Sequence, residues 1–416
     1  MVVGALAAPA AAQAVPRYAE PGMGGSDPTC PQADPCDLQT AVESALGGDE
    51  VVVTPGTYEQ GADPLEVPAD VDVHGTPGAA RPVITSSAGV DASTSNARVA
   101  DLTIFGSNSG LTLDAGSLGE RLYVVTTPGT ACSVIRATLR DSVCWAPGPS
   151  GDAILAFVGN APLVATTVLR NVTAVATGAG SYGLNALASG PGADHTVDAR
   201  NVIADGVEAD VRAFADFPTD TTTVTLANSN YADTQLDSVG GAPSVTPAGT
   251  GSNQSAAPGF VNAAAGDFHQ SPNSVTVDAG ASDSQLGSRD IDGDERIQGD
   301  APDIGADELP DEGAQPPASD TFPPDTGIRS GPKKKYPKRK VTFEFGGSEP
   351  GVTFECRLDV GSRQGTFTPC TSPHEIRGLK RKTKYVFAVR AVDAAGNPDP
   401  TPADRRWKVT KKKRHP

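Results

Sequence analysis

The stretch "VLRNVT" (168–173) returns thirty residues later as "DARNVI" (198–203). In both, small or apolar residues surround a central Asn that follows an Arg. The pattern also runs through "VADLTI" (99–104), "TLRDSV" (138–143) and "TLANSN" (225–230), and "GERLYV" (119–124) fits it less well, with Arg121 in the Asx place. The aligned positions are Asp101, Arg121, Asp141, Asn171, Asn201 and Asn228, and "GLTL", "CSVI", "AILAF", "GLNAL" and "DVRAF" supply a second apolar patch after them. Short strands repeating with one Asx turn per unit are the signature of a parallel β-helix, whose coils stack about 4.8 Å apart so that equivalent residues form columns. Asx suits the corner because it tolerates the left-handed conformation and bonds nearby backbone. The extra residues of the longer coils, such as "GAGSYG" and "SGPGAD", are expected as loops on one side. A rival antiparallel sandwich would need hairpin turns such as Asn-Gly, and no Asn-Gly occurs in residues 97–235.

Composition agrees with many short strands. Gly and Pro number 46 and 36, and aromatics make only 5%. The net charge of -17 conceals a split. Residues 1–326 hold 11 Lys and Arg, none of them Lys, against 42 Asp and Glu, whereas residues 327–416 hold 22 against 8. The acidic part should repel nucleic acid and anionic lipid, which argues against either as a partner.

The six cysteines fall into local pairs, Cys30 with Cys36, Cys132 with Cys144 and Cys356 with Cys370, the simplest of the connectivities open to them. Such pairs point to an oxidising, extracytoplasmic setting. "MVVGALAAPAAAQAVPRY" adds an Ala-rich run ending in "AAQA", which reads as the remnant of a signal peptide over residues 1–14. No stretch reaches the ~20 apolar residues of a membrane-spanning helix.

Before the coils, "DLQTAVESALGGDEVVVTPGTYEQ" predicts a short helix with Asp37 as N-cap and Leu38, Val42 and Leu46 on one face, then a strand. Such a helix would plug the open end of a stacked sheet. Together with "PGFVNAAAGDFHQSPNSVTVDAG" and "DIDGDERIQGDAPDIGADE", this organisation resembles bacterial secreted right-handed β-helix proteins of the pectate-lyase-like superfamily. The 258–308 segment is similar to the closing segment often found in such proteins beside a surface-anchoring device. The resemblance implies fold and location, and no activity, because the superfamily includes lyases, hydrolases and proteins without known catalysis. "LKRKTKYVFAVRAVDAAGN" resembles a fibronectin-III or immunoglobulin-like module.

The expected fold class is all-β, a right-handed single-stranded parallel β-helix followed by a small β-sandwich. The helix with its capping helix and closing segment is expected over residues 15–308, a Pro-rich and basic linker over 309–338, the sandwich over 339–410 and a basic tail over 411–416.

Four constellations bear on chemistry. Arg140, Arg170 and Arg200, each just before the Asx position, should form an outward column fit to grip uronic carboxylates, or a solvated face neutralised by neighbours. Asp101, Asp141 and Asp152 are the carboxylates that could converge for hydrolysis, and Trp145 and Tyr182 could stack on sugar rings. Asp290, Asp292 and Asp294 begin like a calcium loop, but Glu295 stands where Gly is needed and Ala301 where a bidentate Glu is needed; structural closure by Asp290, Arg296, Ile304 and Glu308 is the stronger reading. No catalytic, metal or cofactor set is therefore assigned, with calcium the one ion in view. The basic runs "KKKYPKRK" (333–340) and "KKKR" (411–414) suit a solvated linker or anionic wall polymer. These features describe a secreted or cell-surface monomer that binds polysaccharide or cell-envelope polymer without catalysis, with a lyase or glycosidase acting on acidic polysaccharide as the alternative.

Overall fold

The computed structural model describes residues 16–25, 27–159, 163–247, 253–310, 324–348, 352–392 and 398–411. The signal remnant, residues 311–323 of the linker and all but the first residue of the basic tail lie outside them.

Residues 16–247 wind into a parallel β-helix with three faces. The first face begins with Pro16–Ala19, Glu50–Val53, Asp72–Gly75, Arg98–Ala100 and Leu118–Glu120, each paired in parallel with the next. The second begins with Thr57–Glu59, Val83–Ser86, Thr103–Gly106 and Tyr123–Thr126. The long strands Thr138–Ala146, Val164–Ala176 and Asp194–Gly206 then run through both faces. The third face stacks eight strands from Leu65–Glu66 to Thr234–Ser238. The longer coils differ from expectation. Much of their extra length extends strands, the three residues of Arg98–Ala100 before the Asx corner becoming seven, 164–170, in Val164–Ala176, and does not form loops alone.

The corner between the first two faces is the repeat's Asx position. Asp101, Arg121, Asp141, Asn171, Asn201 and Asn228 have φ of 56, 51, 50, 52, 55 and 46°. Asn and Asp bear this left-handed conformation at low cost; Arg121 bears it while its guanidinium grips Asp101 at 2.7 and 2.9 Å. Inward residues stack into columns such as Ile84, Ile104, Val124, Cys144 and Ala174, all fully buried. The Cys132–Cys144 disulfide crosses this interior from the third face to the second, and Cys30–Cys36 and Cys356–Cys370 form the other two bridges.

Helix α1 (Leu38–Glu43) caps the first coil. Asp37 accepts the Thr40 amide at 3.0 Å, and Leu38, Ala41 and Val42 are buried. Leu46 is a correction. The helix stops at Glu43, so Leu46 lies beyond it and is 69% exposed.

Residues 326–409 form a β-sandwich that starts earlier than expected, because Thr326–Ser330 and Lys335–Tyr336, read as linker, pair with its sheets. A three-stranded sheet (Thr326–Ser330, Val341–Gly347, His374–Ile376) faces a five-stranded one (Lys335–Tyr336, Ala403–Val409, Lys384–Val392, Thr353–Val360, Thr368–Cys370). Phe343, Phe345, Tyr385, Phe387, Val389 and Trp407 fill the space between. The Tyr385 hydroxyl accepts the Lys380 amide at 2.7 Å, tying the loop before its strand to the core.

Asn201 tests the corner. Its side chain donates to Asn171 and to the Ala281 carbonyl and accepts the Ala281 amide, all while buried. Asn201→Gly should cost about 1–3 kcal/mol through lost hydrogen bonds, and Asn201→Ala about 1 kcal/mol more through left-handed strain. Denaturant unfolding of the two variants measures the difference.

Candidate functional site

The three faces have different outer surfaces. On the first, Glu120, Arg140, Arg170 and Arg200 occupy consecutive rungs of one column. Glu120 takes Arg140, as well as Arg98 and Arg121 from neighbouring positions. Arg170 is 4% exposed and sits 2.7 Å from both Asp198 and Asp283; Arg200 lies 3.5 Å from Asp283. Burial alone would raise the Glu120 carboxyl, but Arg98, Arg121 and Arg140 pull it down to about 2. The arginines form the column the spacing predicts, but carboxylates neutralise it, and Arg170 is too enclosed to grip a ligand.

The second face is covered by the chain itself. Tyr123, Val125, Val143 and Val175 pack beneath Phe268, Ile291 and Ala306. Trp145 meets Phe268 edge-on at 5.6 Å, so its ring is occupied by the closing segment and is not open to sugar. Nearer the N-terminal end, the sandwich docks: Arg329 lies 4.2 Å over the Phe105 ring, and the Thr103 hydroxyl donates to the Ser348 carbonyl at 2.9 Å.

The closing segment is anchored to the Asx corner. The fully buried Asp141 lies 2.9 Å from Arg296, itself 1% exposed; Asn171 donates to the Asp303 carbonyl, and Asn201 pairs with Ala281. Gly305, at φ 112°, fits against Ile203 and Thr173 where a Cβ would come within 3 Å of both. Asp290 is buried and accepts the amides of Asp292, Asp294 and Glu308. Its bonds hold a turn.

His269, Asp292 and Asp307 bring potential ligand atoms within 4.8 Å of one another. Both imidazole nitrogens already meet carboxylates, Asp267 at 2.5 Å and Asp292 at 2.8 Å. An ion there would have to displace the proton that joins His269 to Asp292. Cys356, Cys370 and His374 also converge, but their sulfurs are joined in a disulfide.

The third face has an outward surface of another kind. Phe157, Leu187 and Phe214 form one half-buried column, and Leu155, Asn185, Arg212 and Gln235 form its neighbour. The strands that carry them make their substantial contacts only with other helix strands. Arg212 lies between two rings, 5.1 Å from Tyr182 and 5.0 Å from Phe214, and pairs with Asp237 at 2.9 Å. Asp152 accepts the Tyr182 amide and the Asn185 side chain, and burial raises its carboxyl. Asn185 is 6% exposed, and its Oδ1 has no partner among the described residues.

Of the sequence-chosen residues, Asp152 and Tyr182 meet here. Asp101 and Asp141 instead serve the corner, each facing its own arginine, so the three carboxylates do not converge. Sequence reasoning missed Asn185 and Arg212. Their signal was a polar residue inside patches read as apolar, "GLNAL" and "DVRAF".

No family model and no curated protein matches the sequence. Among solved structures, the crystal structure of pectate lyase Pel9A aligns with a TM-score of 0.40 at 14% identity, covering 70% of this chain and 96% of that one.

The closing segment should loosen as pH rises. Burial raises Asp303 and Asp307 to about 6 and Glu308 to about 8, and Asp292 holds His269 well above its ordinary value. Each group binds its proton more tightly folded than unfolded. The stability that the carboxyls confer is thus complete below about pH 4 and falls as pH rises from there, the share of Asp303 and Asp307 gone above about 6 and that of Glu308 above about 8, while the share of His269 begins to fall only above its ordinary value. Hydrogen exchange over residues 278–308, corrected for intrinsic rates, should show stronger protection at pH 5.5 than at pH 8.5.

Proposed function

We propose that this protein is a secreted or cell-surface β-helix that binds polysaccharide along its third face without turning it over. The observation that carries the reading is the pair of open columns on the third face, where the half-buried Tyr182, Arg212 and Gln235 stand beside Phe157, Leu187 and Phe214. Half-buried rings with a few fixed polar groups suit a sugar, which has apolar ring faces and hydroxyl edges. A linear glycan laid along the helix axis would meet the same columns rung after rung.

Noncatalytic binding is favoured by the spacing of acids. Asp152 and Asp237 stand some three rungs apart, roughly 14 Å at the separation of paired strands, too far to flank one glycosidic bond. Asp237 is moreover engaged by Arg212. The extracellular setting is supported by three disulfides. Among the described residues no helix is long and apolar enough to cross a membrane. We extend the proposal to the sandwich as a fibronectin-III-like module that displays the helix, and to residues 258–308 as its closing segment.

Binding to a panel of neutral and acidic polysaccharides, measured by affinity electrophoresis, tests the reading. At least one should be retained without unsaturated products or new reducing ends. Arg212→Ala and Tyr182→Ala should each weaken retention roughly tenfold, about 1.4 kcal/mol, the scale of a lost charged hydrogen bond or ring contact. Trp145→Phe should leave it unchanged. Turnover abolished by Asp152→Asn or Arg212→Ala would replace binding with catalysis.

A further inference from the structure

The five-stranded sheet of the sandwich aligns three lysines across adjacent strands. Lys335 is the register partner of Lys408, and Lys408 is the register partner of Lys384. Directly opposed residues point to the same side of a sheet. The flanking Trp407, Val409 and Tyr385 are buried in the sandwich core, so all three ammonium groups face outward, and all three are exposed. None has a carboxylate partner among the described residues, whereas Arg357, Arg390 and Arg406 on the same sheet are each paired. Lys380, Arg381, Lys382 and Lys411 lie at the same end without ion pairs among the described residues, and the Arg381 guanidinium is held there by the Pro337 and Thr410 carbonyls.

Like charges directly opposite one another destabilise a sheet. Two such pairs in one row, left without counter-charge on a sheet that places acids beside its other cations, are a feature that a ligand would relieve. We infer that this row is a second glycan site, separate from the third face, which takes an extended polyanionic polysaccharide across the strands. The row is flat and about three strands wide, roughly 10 Å, which suits successive charges on a linear chain better than a single small anion. A bilayer is a poorer fit, because Val360 is the sandwich's lone strongly exposed large apolar side chain among the described residues. Nucleic acid is a poorer fit as well, because no exposed ring interleaves with the lysines and the β-helix is strongly acidic.

The site depends on nothing at the third face, and the test keeps the two apart. The full chain is titrated with polygalacturonate at low and at physiological salt, beside the triple variant Lys335→Gln/Lys384→Gln/Lys408→Gln and Arg212→Ala. The wild type should bind in a salt-sensitive manner. The triple variant should bind roughly tenfold more weakly with a flatter salt dependence. Its unfolding midpoint should stay level or rise, because repulsion has been removed. Arg212→Ala should retain this salt-sensitive component. Unchanged binding by the triple variant overturns the inference, as does absence of wild-type binding at low salt. Preference for anionic vesicles or single-stranded DNA over polygalacturonate would also overturn it.

Discussion

Everything in the helical part hangs on a column of side chains held in the left-handed conformation. At each corner the chain must turn sharply from one face to the next, and only a residue tolerant of positive φ does so cheaply. The same column is where the closing segment attaches, through Asp141 to Arg296, Asn171 to residue 303 and Asn201 to residue 281. One set of residues therefore shapes the coils and seats the segment that covers them. An Ala at such a position would fail at both tasks.

From that column the outer surfaces follow. Residues just before the corner point outward on the first face and form an ionic ladder, in which each arginine finds a carboxylate on a neighbouring rung or on the closing segment. Residues just after it face outward as Tyr123, Val125, Trp145 and Val175, too apolar to be left to water, and residues 260–308 lie over them. The third face alone keeps aromatic and polar side chains in open rows. The partition decides where a ligand could reach the helix.

The fold was legible because stacking imposes a period that survives sequence drift. The Asx column, the capping helix with Asp37, the three disulfides and the apolar stripes of the sandwich were all visible as spacing. Arg121 shows the limit. It fits the pattern poorly by residue type, yet it occupies the corner with the same φ, stabilised by its grip on Asp101. The site was less legible, for two reasons. Asp283, which neutralises Arg170, lies outside the repeat and reaches it only through the returning segment. Asn185 and Arg212 were hidden inside runs whose apolar character belongs to the inward residues between them. Sequence periodicity reports what faces the core; it says little about what a segment a hundred residues away will lay on top.

That returning segment also changes how the molecule would bear load. Stacked coils ordinarily contact only their neighbours, so a pull on the last one can peel the stack open one layer at a time. Here the chain leaves the final coil, doubles back and is fastened to three earlier layers, by Arg296, Asp303 and Ala281 with Gly305 wedged beside Thr173. Tension entering from beyond residue 308 meets these fastenings together, as a shear across several layers, before it can reach the terminal edge. A rod tethered through its small sandwich would thus resist traction as a block.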